Sequence, residues 1–478
     1  MSSTYDVIIV GAGPAGLFTA YELSQRAPHM RVMLIDKGLP IQERKCLILE
    51  KKAKKCPVNK KGVSGCYPAC SITSGFGGAG AYSDGKFNIT SEFGGWMTEY
   101  LPDETVEQLI NYVDAVNLAH GAPTSITDPH TQAVKDIERR GLAVGLKLLR
   151  AKVRHLGTEQ NLSILKRLSE TLENAVDTLY RHEVKQLIIE DNQVKGLECV
   201  SKTNDIIRLQ AKNIVVAPGR DGSTFITDLC KKYAIEQTHN QVDIGVRVET
   251  NNEIMEEINT HLYEGKFMFR ASVGTTVRTF CANPSGHVVI ENHSGTMLAN
   301  GHAYKDTSLG SKNTNFALLV SHAFENPFYH PNEFAHEVSR LANMLSAGSI
   351  IIQKYGDLMA GRRSTNKRIK EGFVTPTLKE AVPGDLGLVL PYNTMKSIIE
   401  MIEALDKVTP GIASEHTLFY GVEAKFYSAR PQLSETFETM IQGLYFGGDG
   451  AGITRGLAQA GANGVHIARS IIKKGEKA

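Results

Sequence analysis

The sequence has no run of roughly 18 apolar residues, the length a helix needs to cross a bilayer, so no membrane span is expected. No secretory leader is expected either. No basic stretch precedes the first apolar run, Val7 to Val10, and that run ends in a glycine turn instead of a cleavage site. Cysteine is scarce, with seven in 478 residues, and no C-x-x-C pair occurs. That argues against a disulfide framework and for a reducing, cytoplasmic setting. Excess charge is missing as well. A net charge of +2 calls for neither nucleic acid nor an anionic membrane as partner. Internal repeats and low-complexity tracts are absent. What is present is ordinary globular material, 42% apolar and 22% charged, in a chain long enough for two or three domains.

Residues 5–10 (YDVIIV) read as a buried parallel strand, a short apolar run that stops at glycine. Leu17, Ala20, Tyr21 and Leu23 then recur at helical spacing over 14–26, and 31–36 (RVMLID) is a second buried strand. Residues 37–70 read as irregular, basic and rich in cysteine, and 71–95 as a glycine-rich loop. Residues 100–180 read as mainly helical, with a start at Pro102-Asp103 and breaks at Pro123, Asp128 and Pro129. A meander of strands is expected over 182–216, turning at Asp191-Asn192 and Thr203-Asn204 and ending in the strand Asn213 to Ala217. Strands are expected over 242–300, and helix alternating with loop over 315–407. A last apolar strand at 442–447 precedes a glycine turn and a helix over 453–473.

Gly11-Ala12-Gly13-Pro14-Ala15-Gly16 matches G-x-G-x-x-G. Alone that pattern is weak. Here it follows a strand, opens a helix and has an acid, Asp36, at the end of the next strand, the context that makes it a dinucleotide signal. Gly11 allows the tight turn, Gly13 lets a pyrophosphate approach the backbone, and Gly16 lets helix and strand pack closely. Free N–H groups at the helix start face the phosphates, and Pro14 suits a first turn that needs no N–H. Asp36 would accept from ribose hydroxyls, which disfavours a 2′-phosphate there.

Two further pieces lie far along the chain. The strand Asn213 to Ala217 leads into Pro218-Gly219, and Leu444-Tyr445-Phe446-Gly447-Gly448-Asp449-Gly450 places an aspartate just after a buried strand. With these, the sequence resembles FAD-dependent oxidoreductases with a glutathione-reductase-like FAD domain, matching at Gly11, Gly13, Gly16, Asp36, Gly219, Gly448 and Asp449. The central motif departs from the group's pattern, reading Ala217-Pro218-Gly219. The resemblance implies FAD as cofactor, Asp449 on the ribityl chain, and the start of the last helix at the flavin pyrimidine edge. It places Ala12, Pro14, Ala15, Lys37, Arg44, Val184, Ala217, Gly456, Leu457 and Ala458 among the cofactor contacts, with Arg44 either on the phosphates or a solvated basic residue. Three stretches, Gly75 to Lys86, Arg278 to Cys281 and Tyr420 to Ser428, further resemble a bacterial family of uncharacterised FAD-dependent dehydrogenases, which brings no substrate with it.

In that fold the glycine loop reaches the flavin ring, so Gly78, Gly80, Ser83 and Lys86 are candidate contacts and Lys86 a candidate catalytic group. Cys281, His287 and His293 are candidate proton donors in the substrate domain, with Cys281 the first choice, and Tyr427 and Arg430 are candidates to line the same cavity. Cys46, Cys56, Cys66 and Cys70 fit no standard metal spacing, and no metal is expected. The basic stretch 44–61 reads as a solvated loop or a dock for an acidic electron carrier, and Arg362, Arg363, Lys367 and Arg368 as an anion-binding alternative to a solvated face. The expected architecture is α/β, with a discontinuous Rossmann-like FAD-binding domain (1–95, 170–240 and 415–478), a helical insertion (96–169) and a mixed α+β substrate domain (241–414). The expected function is a redox enzyme moving a hydride or electron pair between a small-molecule substrate and FAD. NAD(P)H and an acidic carrier protein are both open as redox partners, no nucleic acid is expected, and the oligomeric state is unknown. A flavin-dependent nucleic-acid modifier and a protein with non-redox FAD are the alternatives. No second strand–G-x-G-x-x-G turn occurs, so a dedicated NAD(P) domain is not expected.

Overall fold

A computed structural model describes residues 4–47, 52, 69–83, 85–262, 265–293, 296–303, 307–325, 327–328 and 330–476. It divides into two compact units. The first holds Met1–Ile126, Ala151–Thr238 and Ser428–Ala478, and the second Thr127–Arg150 and His239–Tyr427.

The first unit is an α/β domain on a seven-stranded sheet. Strand β1 (Thr4–Val10) pairs in parallel with β2 (Val32–Asp36) on one side and β3 (Ile206–Val216) on the other. Val7, Ile8 and Ile9 are fully buried, which is why this run reads as continuously apolar and not as an alternation. Each such side chain contributes about 1.5–3 kcal/mol. Strand β3 changes partner along its length. Its first half pairs antiparallel with Gln193–Ser201, and its second half pairs in parallel with β4 (Leu444–Phe446). The turn Asp191-Asn192 has both residues at positive φ (49° and 56°), the geometry of a tight hairpin that Asn and Asp tolerate.

Helix α1 (Pro14–Arg26) follows β1, and helix α2 (Leu457–Gly475) follows β4. Both therefore start at the carboxyl edge of the sheet. They pack against each other through small residues: the Thr19 hydroxyl donates to the carbonyl of Gly464 at 3.0 Å. Helix α2 begins at Leu457, four residues later than the expected 453, because Gly452 and Gly456 hold the connecting turn at positive φ.

The second unit carries an eight-stranded sheet. At its centre Val242–Asn251 pairs antiparallel with Asn313–His322 and with Leu418–Lys425. Ile244, Val246 and Val248 join one apolar cluster with Phe316, Leu318 and Val320 and with Met255, Ile258, Ile398 and Met401 from two helices. The alternate residues Asp243, Arg247 and Glu249 are buried too, on the opposite side of the strand by its period-two alternation. A hairpin, His287–His293 with Thr296–His302, lies near Arg247: a Cβ added at Gly301 would sit 2.2 Å from an Arg247 Nη.

Three expectations need correction. The insertion expected at 96–169 is not a separate helical body. Its first helix, Asp103–Ala119, packs on α2. Leu146–Leu149 joins the second sheet beside Lys266–Phe269, and Lys152–His155 pairs with Lys86–Ile89. These short strands find partners more than 60 residues away, so local periodicity does not mark them. The second unit accordingly runs to Tyr427 and takes in 127–150, instead of spanning 241–414. The region 315–407 also contains two buried strands, Asn313–His322 and Ile351–Lys354, and the strand-rich 242–300 contains the helix Asn252–Leu262.

The contact between α1 and α2 has a direct test. A Cβ at Gly464 would fall 2.0 Å from the backbone oxygen of Ala15. Gly464→Val should therefore lower stability by about 1–3 kcal/mol, seen as a lower urea midpoint at unchanged slope. An unshifted midpoint would mean that the two helices do not meet there.

Candidate dinucleotide site

The site lies within the first unit, where β1, β2, β3 and β4 end. Gly11, at φ +103°, lies so close to β3 that a Cβ would sit 2.2 Å from the carbonyl oxygen of Ala217. Gly16 is pressed back on the turn, its Cβ position 1.9 Å from the Gly11 oxygen. Only glycine fits at either point. Helix α1 then starts with Pro14 in its first turn, no side-chain cap and no acid in that turn. Its exposed N–H groups and positive dipole end stay available for an anion.

Asp36, at the end of β2, is fixed by two backbone donors. The N–H of Ala12 reaches one carboxylate oxygen at 2.8 Å and the N–H of Gly38 the other at 2.7 Å. A carboxylate offers about four lone-pair sites, so two hydroxyl donors can still be accepted. The glycine loop is docked on the same turn: the N–H of Gly77 donates to the carbonyl of Ala12 at 2.7 Å. A short 3-10 turn, Gly78–Tyr82, and a strand, Lys86–Ile89, occupy what reads as plain loop in sequence.

The Asp449 carboxylate sits deep in the fold but keeps an open edge, its side chain 23% exposed. The Thr454 hydroxyl donates to it at 2.7 Å, and the Arg220 guanidinium lies 3.9 Å away. Burial raises its carboxyl above the ordinary aspartate value, with Arg220, Thr454 and Arg455 opposing. Gly448 beside it donates its N–H to the Asn463 side chain at 2.9 Å. Helix α2 begins just beyond, again without a side-chain cap or a first-turn acid. The two helix starts are neighbours: a Cβ at Gly80 would touch both Leu457 and Pro14, at 2.5 and 3.5 Å.

Other sequence candidates are placed as follows. Gly219 turns the chain at the end of β3 with φ +68°, and Val184 is buried in the meander. The Lys37 ammonium pairs with Asp221 at 2.5 Å. The Ser83 hydroxyl donates to the Gly80 carbonyl at 2.8 Å and closes its own turn, while Lys86 pairs through its backbone with His155. Arg44 is not laid out as a surface cation. It is buried, with its guanidinium on backbone carbonyls. Cys281, in the second unit, is half-buried at φ +48° with its carbonyl accepting from Arg247 at 3.0 Å. Arg362 and Arg368 both pair with the buried Asp357, which leaves less positive charge for the anion-binding alternative raised for this cluster. Cys56, Cys66 and most of the basic stretch 44–61 lie outside the described residues. Among the described residues no group of three or more His, Cys, Asp or Glu is arranged to hold a metal ion. Sequence reading missed Thr454, Arg220 and Asn463, which belong to no short motif. Arg220 stands next to Gly219 and could have been found there.

The cradle fits a dinucleotide. A Cβ at Gly13 would meet only Gly78 Cα, at 4.0 Å, and Cβ atoms at Gly219 and Gly456 would meet nothing within 4 Å. Open space therefore lies over the turn, over the end of β3 and over the start of α2, beside two uncapped helix ends.

Comparison with known proteins agrees. Residues 6–43 match a family model described as FAD dependent oxidoreductase, and residues 241–426 one described as FAD-dependent protein, C-terminal domain-like. A curated relative, an uncharacterized protein of Clostridium beijerinckii, is 24% identical over 98% of this chain and 80% of its own length. Similar solved structures include pyridoxine 4-oxidase from Mesorbium loti (12% identity, 98% and 99% of the two chains, TM-score 0.43). Another is glycine oxidase from Bacillus cereus (11%, 98% and 95%, TM-score 0.37). The protein is an FAD-dependent oxidoreductase, and FAD is its cofactor. Among the described residues no helix is long and apolar enough to cross a membrane.

Two measurements test the site. Asp449→Ala should weaken FAD by on the order of 10–100-fold at unchanged fold, the worth of a lost charge-assisted hydrogen bond. An unchanged dissociation constant would refute the placement. The second uses Trp96, the single tryptophan, whose backbone N–H donates at 2.7 Å to the carbonyl of Ile453 in the turn between Asp449 and α2. Its fluorescence should fall steeply and saturably as FAD is added to apoprotein. Emission indifferent to FAD would place the flavin elsewhere.

Proposed function

We propose that this oxidoreductase moves a hydride or electron pair between a small-molecule substrate and FAD, as a dehydrogenase or reductase. The observation that carries the reading is the pair of uncapped helix starts, α1 and α2, side by side at one sheet edge with Asp36 and Asp449 flanking them. Bound there, FAD would supply two-electron chemistry at its ring system.

The chain's own groups divide the remaining work. The N–H groups at the start of α1 take the pyrophosphate. Asp36 accepts from the adenosine ribose and Asp449 from the ribityl hydroxyls, with Thr454 and Arg220 keeping the Asp449 carboxylate oriented. The first N–H groups of α2 offer donors to an electron-rich edge. Lys86 and Cys281 are the proposed proton-handling groups, and we assign substrate recognition to the second unit. In the reductase direction NAD(P)H or a reduced acidic carrier protein gives the electron pair to FAD; in the dehydrogenase direction NAD(P)+ or the oxidised carrier takes it from reduced FAD.

The test is anaerobic mixing of the purified holoprotein with NADH, NADPH and a panel of small alcohols, amines and carboxylic acids. At least one should bleach the flavin band. A flavin that resists every donor, in a protein of intact fold, would favour a structural cofactor and overturn the proposal. Because the chain has one nucleotide turn of this type, any nicotinamide must share the flavin face with the substrate. Initial rates with both varied should give parallel double-reciprocal lines, and intersecting lines would contradict the shared face.

A further inference from the structure

Arg44 is 4% exposed. Its guanidinium donates to three backbone carbonyls: Nε to Ser71 at 2.9 Å, Nη1 to Phe76 at 2.6 Å and Nη2 to Ile72 at 2.6 Å. The Tyr82 hydroxyl donates to Arg44's own carbonyl at 2.7 Å, and the guanidinium lies 5.2 Å from the Tyr82 ring centre. Among the described residues no carboxylate lies within ion-pair distance of it. Burial lowers its pKa below the usual arginine value. A buried cation is tolerated where hydrogen bonds replace its lost hydration, and here each guanidinium nitrogen donates to a carbonyl of the segment 71–76.

The Phe76–Gly77 peptide transmits this grip. A trans peptide points its C=O and its N–H in opposite directions. The Phe76 carbonyl faces Arg44, so the Gly77 N–H faces the other way and donates to Ala12 in the phosphate-binding turn at 2.7 Å. Ala12 in turn donates to Asp36 at 2.8 Å. Gly78, next in line, lies against Gly13, where an added Cβ would approach Gly13 Cα to 2.9 Å.

We propose that Arg44 is a positioning residue which folds the glycine loop onto the Gly11–Gly16 turn and so shapes the cofactor cradle, without touching the FAD phosphates. The proposal rests on the reading that this turn holds FAD. The chemistry needed is a planar fork that serves three carbonyls at once, which lysine lacks although it keeps the charge.

The experiment titrates FAD into apoprotein of wild type, Arg44→Lys, Arg44→Ala and Tyr82→Phe, followed by Trp96 emission, with circular dichroism to establish that each variant is folded. Arg44→Lys and Arg44→Ala should lose affinity alike, by roughly tenfold or more. Millimolar guanidinium chloride should restore binding in Arg44→Ala and not in wild type. Tyr82→Phe, a milder change that keeps the fold, should weaken FAD several-fold. Limited proteolysis of apoprotein should cut within 71–82 faster in the arginine variants. Wild-type affinity in Arg44→Lys would overturn the proposal in favour of a charge on the phosphates. Undiminished affinity in Arg44→Ala and Tyr82→Phe would overturn it outright. A Gly13→Val variant separates the two readings: if it binds FAD as wild type does, the cradle assignment fails, whatever Arg44 does.

Discussion

Backbone packed against backbone is the constraint on which the first unit depends. Gly11 against Ala217, Gly16 against Gly11 and Gly464 against Ala15 leave no room for a single carbon atom. Those contacts bring β1 to β3, α1 to β1 and α2 to α1. Together they bring two helix starts to one edge of one sheet, although the helices lie more than 430 residues apart in sequence. Side-chain packing alone would set the axes of helices at the 8–10 Å typical of globular proteins. The glycines allow closer approach, and the space left above Gly13, Gly219 and Gly456 is its counterpart: open where a ligand belongs, closed where the scaffold must hold.

The second unit solves a different problem. Its central strand buries Asp243, Arg247 and Glu249 on the side opposite its apolar cluster. Arg247 faces Glu423 at 3.3 Å, and Lys425 reaches the same carboxylate at 3.1 Å. Asp243 accepts from Ser321 at 2.8 Å and from Arg278 and Tyr427. Glu249 has no cation beside it among the described residues. Instead it takes donors from Asn313, Thr377 and Tyr420, and burial beside that carboxylate raises the Tyr420 hydroxyl well above its usual pKa. Buried pairs of this kind contribute little net stability. Their stronger effect is on register. A slip of one residue along Val242–Asn251 would drive three charges into the aliphatic cluster and strand their partners.

Much of the first unit was legible because its signals are local. Tyr5 to Gly16 and Leu444 to Asp449 each combine a buried strand with a glycine turn, and Val32 to Asp36 is a buried apolar run that ends in an acid. The hairpin at Asp191-Asn192 announced itself in the same way. What stayed hidden depends on distant partners. Lys152–His155 is a strand only because Lys86–Ile89 lies beside it. Leu146–Leu149 needs Lys266–Phe269, and with it a stretch that reads as part of a helical insertion passes to the other unit. In the site, glycines and aspartates were legible, while Thr454 and Asn463 were not. Their hydrogen bonds orient the groups that a motif names, and nothing in a short pattern requires a particular residue type to do so. Arg44 shows the reverse: its spacing from Asp36 suggests a phosphate ligand, and its surroundings give it another occupation.

Charge is used sparingly around the cradle. The donors aimed at a pyrophosphate are peptide N–H groups, which carry no counterion and need no long side chain to be immobilised. The acids, Asp36 and Asp449, stand where hydroxyls are to be bound, and each is restrained by hydrogen bonds to groups already fixed in the fold. Of the nearby cations, Lys37 is paired with Asp221 and Arg44 is turned toward carbonyls. Arg220 stands 3.9 Å from Asp449. A dinucleotide with two phosphates and many hydroxyls is matched by such an arrangement through direction more than through net charge. Recognition by oriented dipoles loses less to salt than recognition by exposed lysines, because the screening of an ion pair grows with its exposure to the ionic atmosphere.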